Sequence, residues 1–268
     1  MTNQVGYAGG GTGTEDTNNR PSRNIWKGSP FADIRDGYKG GTAIYDKFNH
    51  GPAAAASTTY VSGGGYRLST GAGCTIAGDP AQGGGVIMTT GASNTQAAFA
   101  SFNQPFQITA GAKDFWWEAR VEFDAITDAQ TGWLMGLADS TALSATVPIT
   151  AAGAIADLNI VGFHRDEADG DMLDTVYRAN GVAAVTVAAN AVTLVAATAV
   201  KIGMHFDSTN NVLTFYKNGV ALADTKTIPD NTGTDFPADV TLGLVMAGVS
   251  AATGTNTVSW IRACQEAS

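Results

Sequence analysis

Glu118 and Glu122 are the carboxylates whose spacing comes nearest to a reaction. Two acids flanking a glycosidic bond hydrolyse it with retention when their carboxyl groups stand about 5 Å apart, one as nucleophile and one as acid. On a strand rising roughly 3.3 Å per residue, positions i and i+4 share a face but lie about 13 Å apart. That span is too long for such a pair, and the expected role of both acids is a solvated strand face. The histidines His50, His164 and His205 fall outside any Cys/His cluster or His-Glu-x-x-His pattern, and His164 and His205 are expected at exposed strand positions. Asp166, Asp169, Asp171 and Asp174 gather around Gly170. Hard cations such as calcium take clustered carboxylate and carbonyl oxygens, so this turn is the candidate metal site. Its spacing does not follow a calcium-loop signature, and a solvated hairpin tip is the plainer expectation. No Gly-x-Ser-x-Gly elbow, phosphate loop or dinucleotide fingerprint occurs. Catalytic residues: none expected; cofactor: none expected.

The elements that must carry these residues read as strands. Phe115, Trp117, Ala119, Val121 and Phe123 alternate with Glu118, Arg120 and Glu122, a period of two over nine residues. Trp116 interrupts the polar face, and with Trp133 it is a candidate glycan contact. Ile202, Met204 and Phe206 alternate with Lys201, Gly203 and His205. Val212 to Tyr216 returns, and Asn218-Gly219 has the chemistry of a tight type I′ hairpin turn, where both residues need positive φ. Leu242, Leu244 and Met246, then Val258 to Ala263, predict two more strands. Val182 to Val200 is rich in valine and threonine and predicts strands with a turn at Ala189-Asn190. No stretch of ten residues has a clean helical period. Short strands punctuated by turns predict an all-β sandwich of two sheets.

Residues 1–50 read as an extended, glycine-rich N-terminal arm, and 51–268 as the sandwich, best defined over 113–267. The arm carries Trp26, Phe31, Tyr38 and Tyr45, more aromatic surface than a disordered tail holds. Two placements stay open: the arm wraps its own sandwich, or it lies on another subunit. The four aromatics are its candidate partner contacts. Of 268 residues, 15% are charged and 33 are glycine, with a net charge of −9. An acidic surface repels phosphate backbones and anionic lipid, which argues against nucleic-acid and membrane partners. Cys74 and Cys264 could pair, but nothing in the sequence requires it. The start, Met1 to Gln4, shows no basic and apolar leader, so reduced thiols and synthesis in a bacterial-type cytoplasm are expected.

The stretch Lys201 to Asp207, followed by Leu213-Thr214-Phe215-Tyr216-Lys217-Asn218-Gly219-Val220 and the closing Val258 to Gln265, resembles the concanavalin A-like (laminin G-like) jelly-roll superfamily. The resemblance implies a fold and says little of function. Glucanases of that fold carry Glu-x-Asp-x-x-Glu on one strand, and no such string occurs here. The whole chain is also similar to structural proteins of tailed-bacteriophage virions. Ile25-Trp26-Lys27-Gly28-Ser29-Pro30-Phe31, Gly41 to Phe48, Trp117 to Val121 and Gly136 to Asp139 carry that likeness; Lys47 stands where a second Asp is expected. It implies a non-enzymatic capsid decoration (cement) protein on the virion surface, bound to the major capsid protein and to copies of itself as a homotrimer. The alternative is a lectin-like carbohydrate-binding module displayed on a virion or fibre.

Overall fold

A computed structural model describes residues 17–49, 54–55, 60–61, 65–79, 84–91, 95–101, 103–126, 132–139, 147–166, 170–228, 235–238 and 240–267. Two short helices, α1 (Arg23–Trp26) and α2 (Phe31–Arg35), precede a run of strands. These are β1 (Gly41–Asp46), β2 (Ala54–Ala55), β3 (Tyr60–Val61), β4 (Tyr66–Thr70), β5 (Thr75–Gly78), β6 (Val86–Thr90) and β7 (Thr95–Ser101). They continue as β8 (Phe115–Phe123), β9 (Gly132–Ala138), β10 (Ile160–Asp166), β11 (Met172–Arg178), β12 (Val185–Thr193) and β13 (Val200–Asp207). The last four are β14 (Val212–Lys217), β15 (Val220–Thr227), β16 (Gly243–Ser250) and β17 (Gly254–Glu266).

The strands form two antiparallel sheets. The first runs β15-β14-β13-β8-β17-β6-β5-β2, and the second β12-β11-β10-β9-β16-β7-β4-β3. The long β17 pairs β8 along one side; its other side takes β6 on the N-terminal half and β1 on the C-terminal half. The register sets the chemistry of the first sheet's outer face. Trp116 sits opposite His205 and Cys264, and Glu118 opposite Gly203 and Arg262.

The predicted alternation of β8 is what builds the core. Phe115, Trp117, Ala119, Val121 and Phe123 all point between the sheets and are buried. Trp133, Phe163 and Met246 meet them from the facing sheet, and Met204 joins them from the adjacent β13. The Asn218-Gly219 turn between β14 and β15 has both residues at positive φ, 48° and 80°, as type I′ chemistry requires. The sequence expectation of a turn at Ala189-Asn190 is corrected. β12 runs through it as one strand, with Asn190 at φ 55° inside an irregular stretch of its pairing with β11.

Both outer faces are covered in part by segments of the chain. Ala98, Ala100, Leu134, Ile160, Val245 and Ala247 of the second sheet pack under the 147–159 segment through Ile149, Ile155 and Leu158. Gly132 permits that approach: a Cβ there would stand 2.5 Å from the Gly153 Cα. Part of the outer face of the first sheet is covered by the segment 19–34, through Ile25, Phe31 and Ile34 over Trp116 and Cys264.

Candidate functional site

The N-terminal strap is held on the first sheet by side chains of three strands, β8, β13 and β17. The Glu118 carboxylate, predicted to face water, is fully buried, and its Oε2 accepts the Ser22 backbone N–H and the Trp26 Nε1–H, each at 2.8 Å. Lys201 Nζ donates to the Arg20 carbonyl at 2.9 Å, and Trp260 Nε1 to Asn19 Oδ1 at 3.1 Å. Ile25 seats over Gly203, where a Cβ would approach its Cδ1 to 2.6 Å. The Arg262 guanidinium lies over the rings of Trp26 and Phe31, 4.1 and 3.9 Å from their centroids, a cation–π geometry.

Electrostatics at this interface follow burial. Desolvation raises the Glu118 pKa above its ordinary value, against the hydrogen bonds from Ser22 and Trp26 and the field of Lys201, which lower it. Burial lowers the pKa of His205, whose ring stacks on Trp116 at 5.1 Å between centroids. Burial pushes the Cys264 thiol up to about 11, against the neighbouring Ser29 hydroxyl 3.2 Å away and the Arg262 charge. Cys74 and Cys264 are both free and buried.

At one end of the second sheet a rim of polar side chains is locked by mutual hydrogen bonds. Asn159 donates to Asp139 Oδ2 at 2.6 Å and accepts the Asn180 backbone N–H. Arg178 donates to the Ile155 and Val182 carbonyls and pairs with Asp157 at 3.0 Å. Asp157 also accepts the Gly181 N–H. The rim continues through the Ala179 N–H, which donates to the Asp235 carbonyl. Tyr177 Oη then donates to Asp235 Oδ2 at 2.8 Å and accepts from Lys226 Nζ at 2.7 Å. Lys226 also lies 4.5 Å above the Tyr177 ring centroid.

No protein-family model matches the chain, and no curated protein matches it. Solved structures do match in shape. The carbohydrate recognition domain of Emp46p in its potassium-bound form superposes at TM-score 0.51 and 10% identity, over 81% of this chain and 98% of that one. The concanavalin A-like jelly roll is the fold of this chain. Arcelin-5, a lectin-like defence protein from Phaseolus vulgaris, superposes at TM-score 0.53 and 12% identity over 84% of this chain and 98% of its own. A mixed-linkage glucan GH16 domain from Bacteroides ovatus, in complex with a G4G4G3G product, gives TM-score 0.54 and 10% identity over 82% and 99%.

On this jelly roll the residues singled out from sequence separate. Trp133 is a core residue, 1% exposed and packed edge-on against Phe123, so it offers no surface to a glycan. Trp116 is also buried, beneath the strap in the cluster of Ile25, Phe31 and Cys264. Phe31 is buried and Trp26 half-buried against their own chain, which leaves Phe31 unable to contact a partner in this state. Tyr38 and Tyr45 remain at the surface, 83% and 42% exposed. Of the acidic turn, Asp169 lies outside the described residues. Asp166 ends β10, and Asp174 on β11 accepts the Asn190 N–H. Among the described residues no three metal-ligating side chains converge. His164, expected in solvent, is buried and bonds the Gly153 carbonyl through Nε2; His50 lies outside the described residues. The rim was missed in the sequence because Asp139, Asp157, Asn159, Arg178 and Asp235 lie on separate segments and form no motif.

Proposed function

We propose that this protein is a non-catalytic, lectin-like carbohydrate-recognition module whose binding surface is the polar rim at the end of the second sheet. The observation that carries this reading is the locked network running from Asp139 and Asn159 through Arg178 to Tyr177, Lys226 and Asp235. Sugar hydroxyls are donors and acceptors at once, and they are bound best by amide, carboxylate and guanidinium groups whose rotamers are fixed beforehand. Arg178, Asn159, Lys226 and Asp235 are each partly exposed and each fixed by at least one bond. The likeness to a carbohydrate recognition domain and to a lectin-like protein supports the same ligand class.

A glycosidase reading gains less. Glu118 is buried beneath the strap, and Glu122 stands two positions further along the same face of β8. The centre of the second sheet's outer face is alanine, leucine, valine and isoleucine. The capsid-decoration reading rests on a likeness of motifs and binding through the sandwich and N-terminal arm; of that arm, Ile25, Phe31 and Ile34 are buried on their own sandwich, while Tyr38 and Tyr45 stay at the surface.

A glycan array tests the proposal. Binding is expected for the unmodified chain, with a loss of at least tenfold in affinity for Asp235→Ala and Asn159→Ala. An array without hits, or hits unaffected by both substitutions, removes the rim from consideration. Turnover of β-glucans would overturn the non-catalytic assignment.

A further inference from the structure

The interface between strap and sheet differs from the core it overlies. Between the sheets the side chains are apolar over almost the whole cluster. Beneath the strap, Glu118 Oε1, Trp116 Nε1, His205 Nε2 and Arg262 Nε are buried without a hydrogen-bond partner in the protein. Native interiors pair nearly all such atoms. Between the sheets two such atoms occur, the Trp117 and Trp133 indole nitrogens; the larger number beneath the strap marks a surface that is complementary to it without being fused to it.

The connection to the rest of the chain is built to open. From Arg35 to Gly41 every residue is exposed, and Gly37 and Gly41 sit at positive φ. Six residues from Asp36 to Gly41 span about 20 Å when extended. This hinge is tied down by the Lys39–Glu266 pair and by backbone hydrogen bonds: the Gly37, Tyr38 and Lys39 N–H groups donate to the Ile34 and Asp33 carbonyls, and the Gly40 carbonyl accepts the Ala267 N–H. The groove, by contrast, is specific. Gly203 leaves the hole that Ile25 fills, Glu118 receives two N–H groups, and Arg262 is covered by two rings.

We propose that the groove on the first sheet is an interaction surface for a second copy of this chain, which inserts its own strap, residues 17–35, in place of the resident one. An identical strap is the one occupant whose complementarity is already on view. Exchange re-forms the contacts between residues 17–35 and the sheet, so its cost is that of joining two chains and of the hinge bonds given up, and concentration drives it. The hinge, with no buried side chain, is the segment that changes conformation.

Ser29 and Cys264 supply the test, because Ser29 Oγ lies 3.2 Å from Cys264 Sγ. One chain carries Ser29→Cys with Cys264→Ser; a second keeps Ser29 and Cys264; both carry Cys74→Ser. A disulfide between residues 29 and 264 can then form only when the strap of the first chain lies on the sheet of the second. The two are mixed at high concentration, incubated in mild urea, returned to buffer and oxidised. The expected result is a heterodimer whose linked peptides join position 29 to position 264, its yield rising with concentration. Absence of that heterodimer, while a single chain carrying Ser29→Cys and Cys264 closes on itself, overturns the proposal. Should the variants fail to fold, light scattering on the unmodified chain after the same cycle decides: a dimer that survives dilution supports exchange, and monomer at every concentration rejects it.

Discussion

The Trp26 indole N–H and the Ser22 backbone N–H converge on one oxygen of Glu118, 92 and 96 residues away in the chain. A short segment near the N-terminus thereby caps the central strand of the first sheet, and a carboxylate becomes the anchor of an otherwise aromatic and aliphatic contact. Because the anchor titrates, the strength of strap docking depends on pH.

Burial raises the Glu118 pKa in the docked state. The stability it contributes is therefore fully present below its undocked value near 4.5, and it is lost as pH rises through the docked value. His205, on the adjacent strand, works in the other sense. Its docked pKa is lowered from 6.5, so its contribution is present above 6.5 and lost as pH falls through the docked value. The cations of Lys201 and Arg262 face the same carboxylate, and both act on it through the folded state. Glu118→Gln is expected to remove the loosening on the alkaline side while keeping the acid-side loosening from His205. The Trp26 indole N–H resonance followed from acid to neutral pH checks this; an unchanged alkaline limb in the variant would contradict it.

Gly203 controls the strap sterically. A Cβ at this position meets Ile25 Cδ1 at 2.6 Å and the Trp117 carbonyl oxygen at 3.0 Å. Gly203→Val is expected to expel Ile25, forfeiting about 1.5–3 kcal/mol of apolar burial. Trypsin should then cut at Arg23 and Lys27 on α1 and its C-terminal flank many-fold faster, while the sandwich itself stays intact. Equal cleavage rates in both proteins would show that Ile25 does not hold the strap.

Much of the sandwich is legible in the sequence, and the reason is local. β13 alternates over its whole length and β8 does so apart from Trp116, and Asn218-Gly219 declares its turn through φ alone. β7 is not legible, because Thr-Gln-Ala-Ala-Phe-Ala-Ser has weak strand propensity and is fixed by pairing with β4 and β16. The burial of Glu118 is not legible either. Alternation assigns it correctly to the outer face, and nothing within β8 reports that a strap from the other end of the chain covers it. The rim is assembled from strand ends and the segments beside them, which share no spacing, and so it becomes visible only when the strand ends meet.

Trp133 separates the core from any ligand surface. It is fully enclosed beside Phe123, with ring centroids 4.9 Å apart. Trp133→Ala is expected to cost about 3–5 kcal/mol of stability through the cavity it leaves. Whatever folded protein remains should bind glycans as the unmodified chain does, since the rim is untouched. Denaturant unfolding together with the array separates the two effects; a variant of normal stability that has lost binding would place Trp133 in the site after all.

Cys264 reports on the strap without any substitution. Its thiol is enclosed under Ser29 and the Trp26–Phe31 pair, and desolvation raises its pKa to about 11. At pH 8 the thiolate that alkylating agents require is scarce, and the sulfur is out of reach. Slow labelling by iodoacetamide is therefore expected while the strap is docked. A chain starting at Gly41 lacks Ser29, Trp26 and Phe31, so labelling of its Cys264 should rise by at least tenfold. Cys74 lies elsewhere, beside Gly91 and Thr95, and its rate should not change. The ratio of the two rates, read by mass spectrometry of the labelled peptides, isolates strap opening from general unfolding. If both cysteines accelerate together, the strap is not a separate unit, and its removal has loosened the sandwich as a whole.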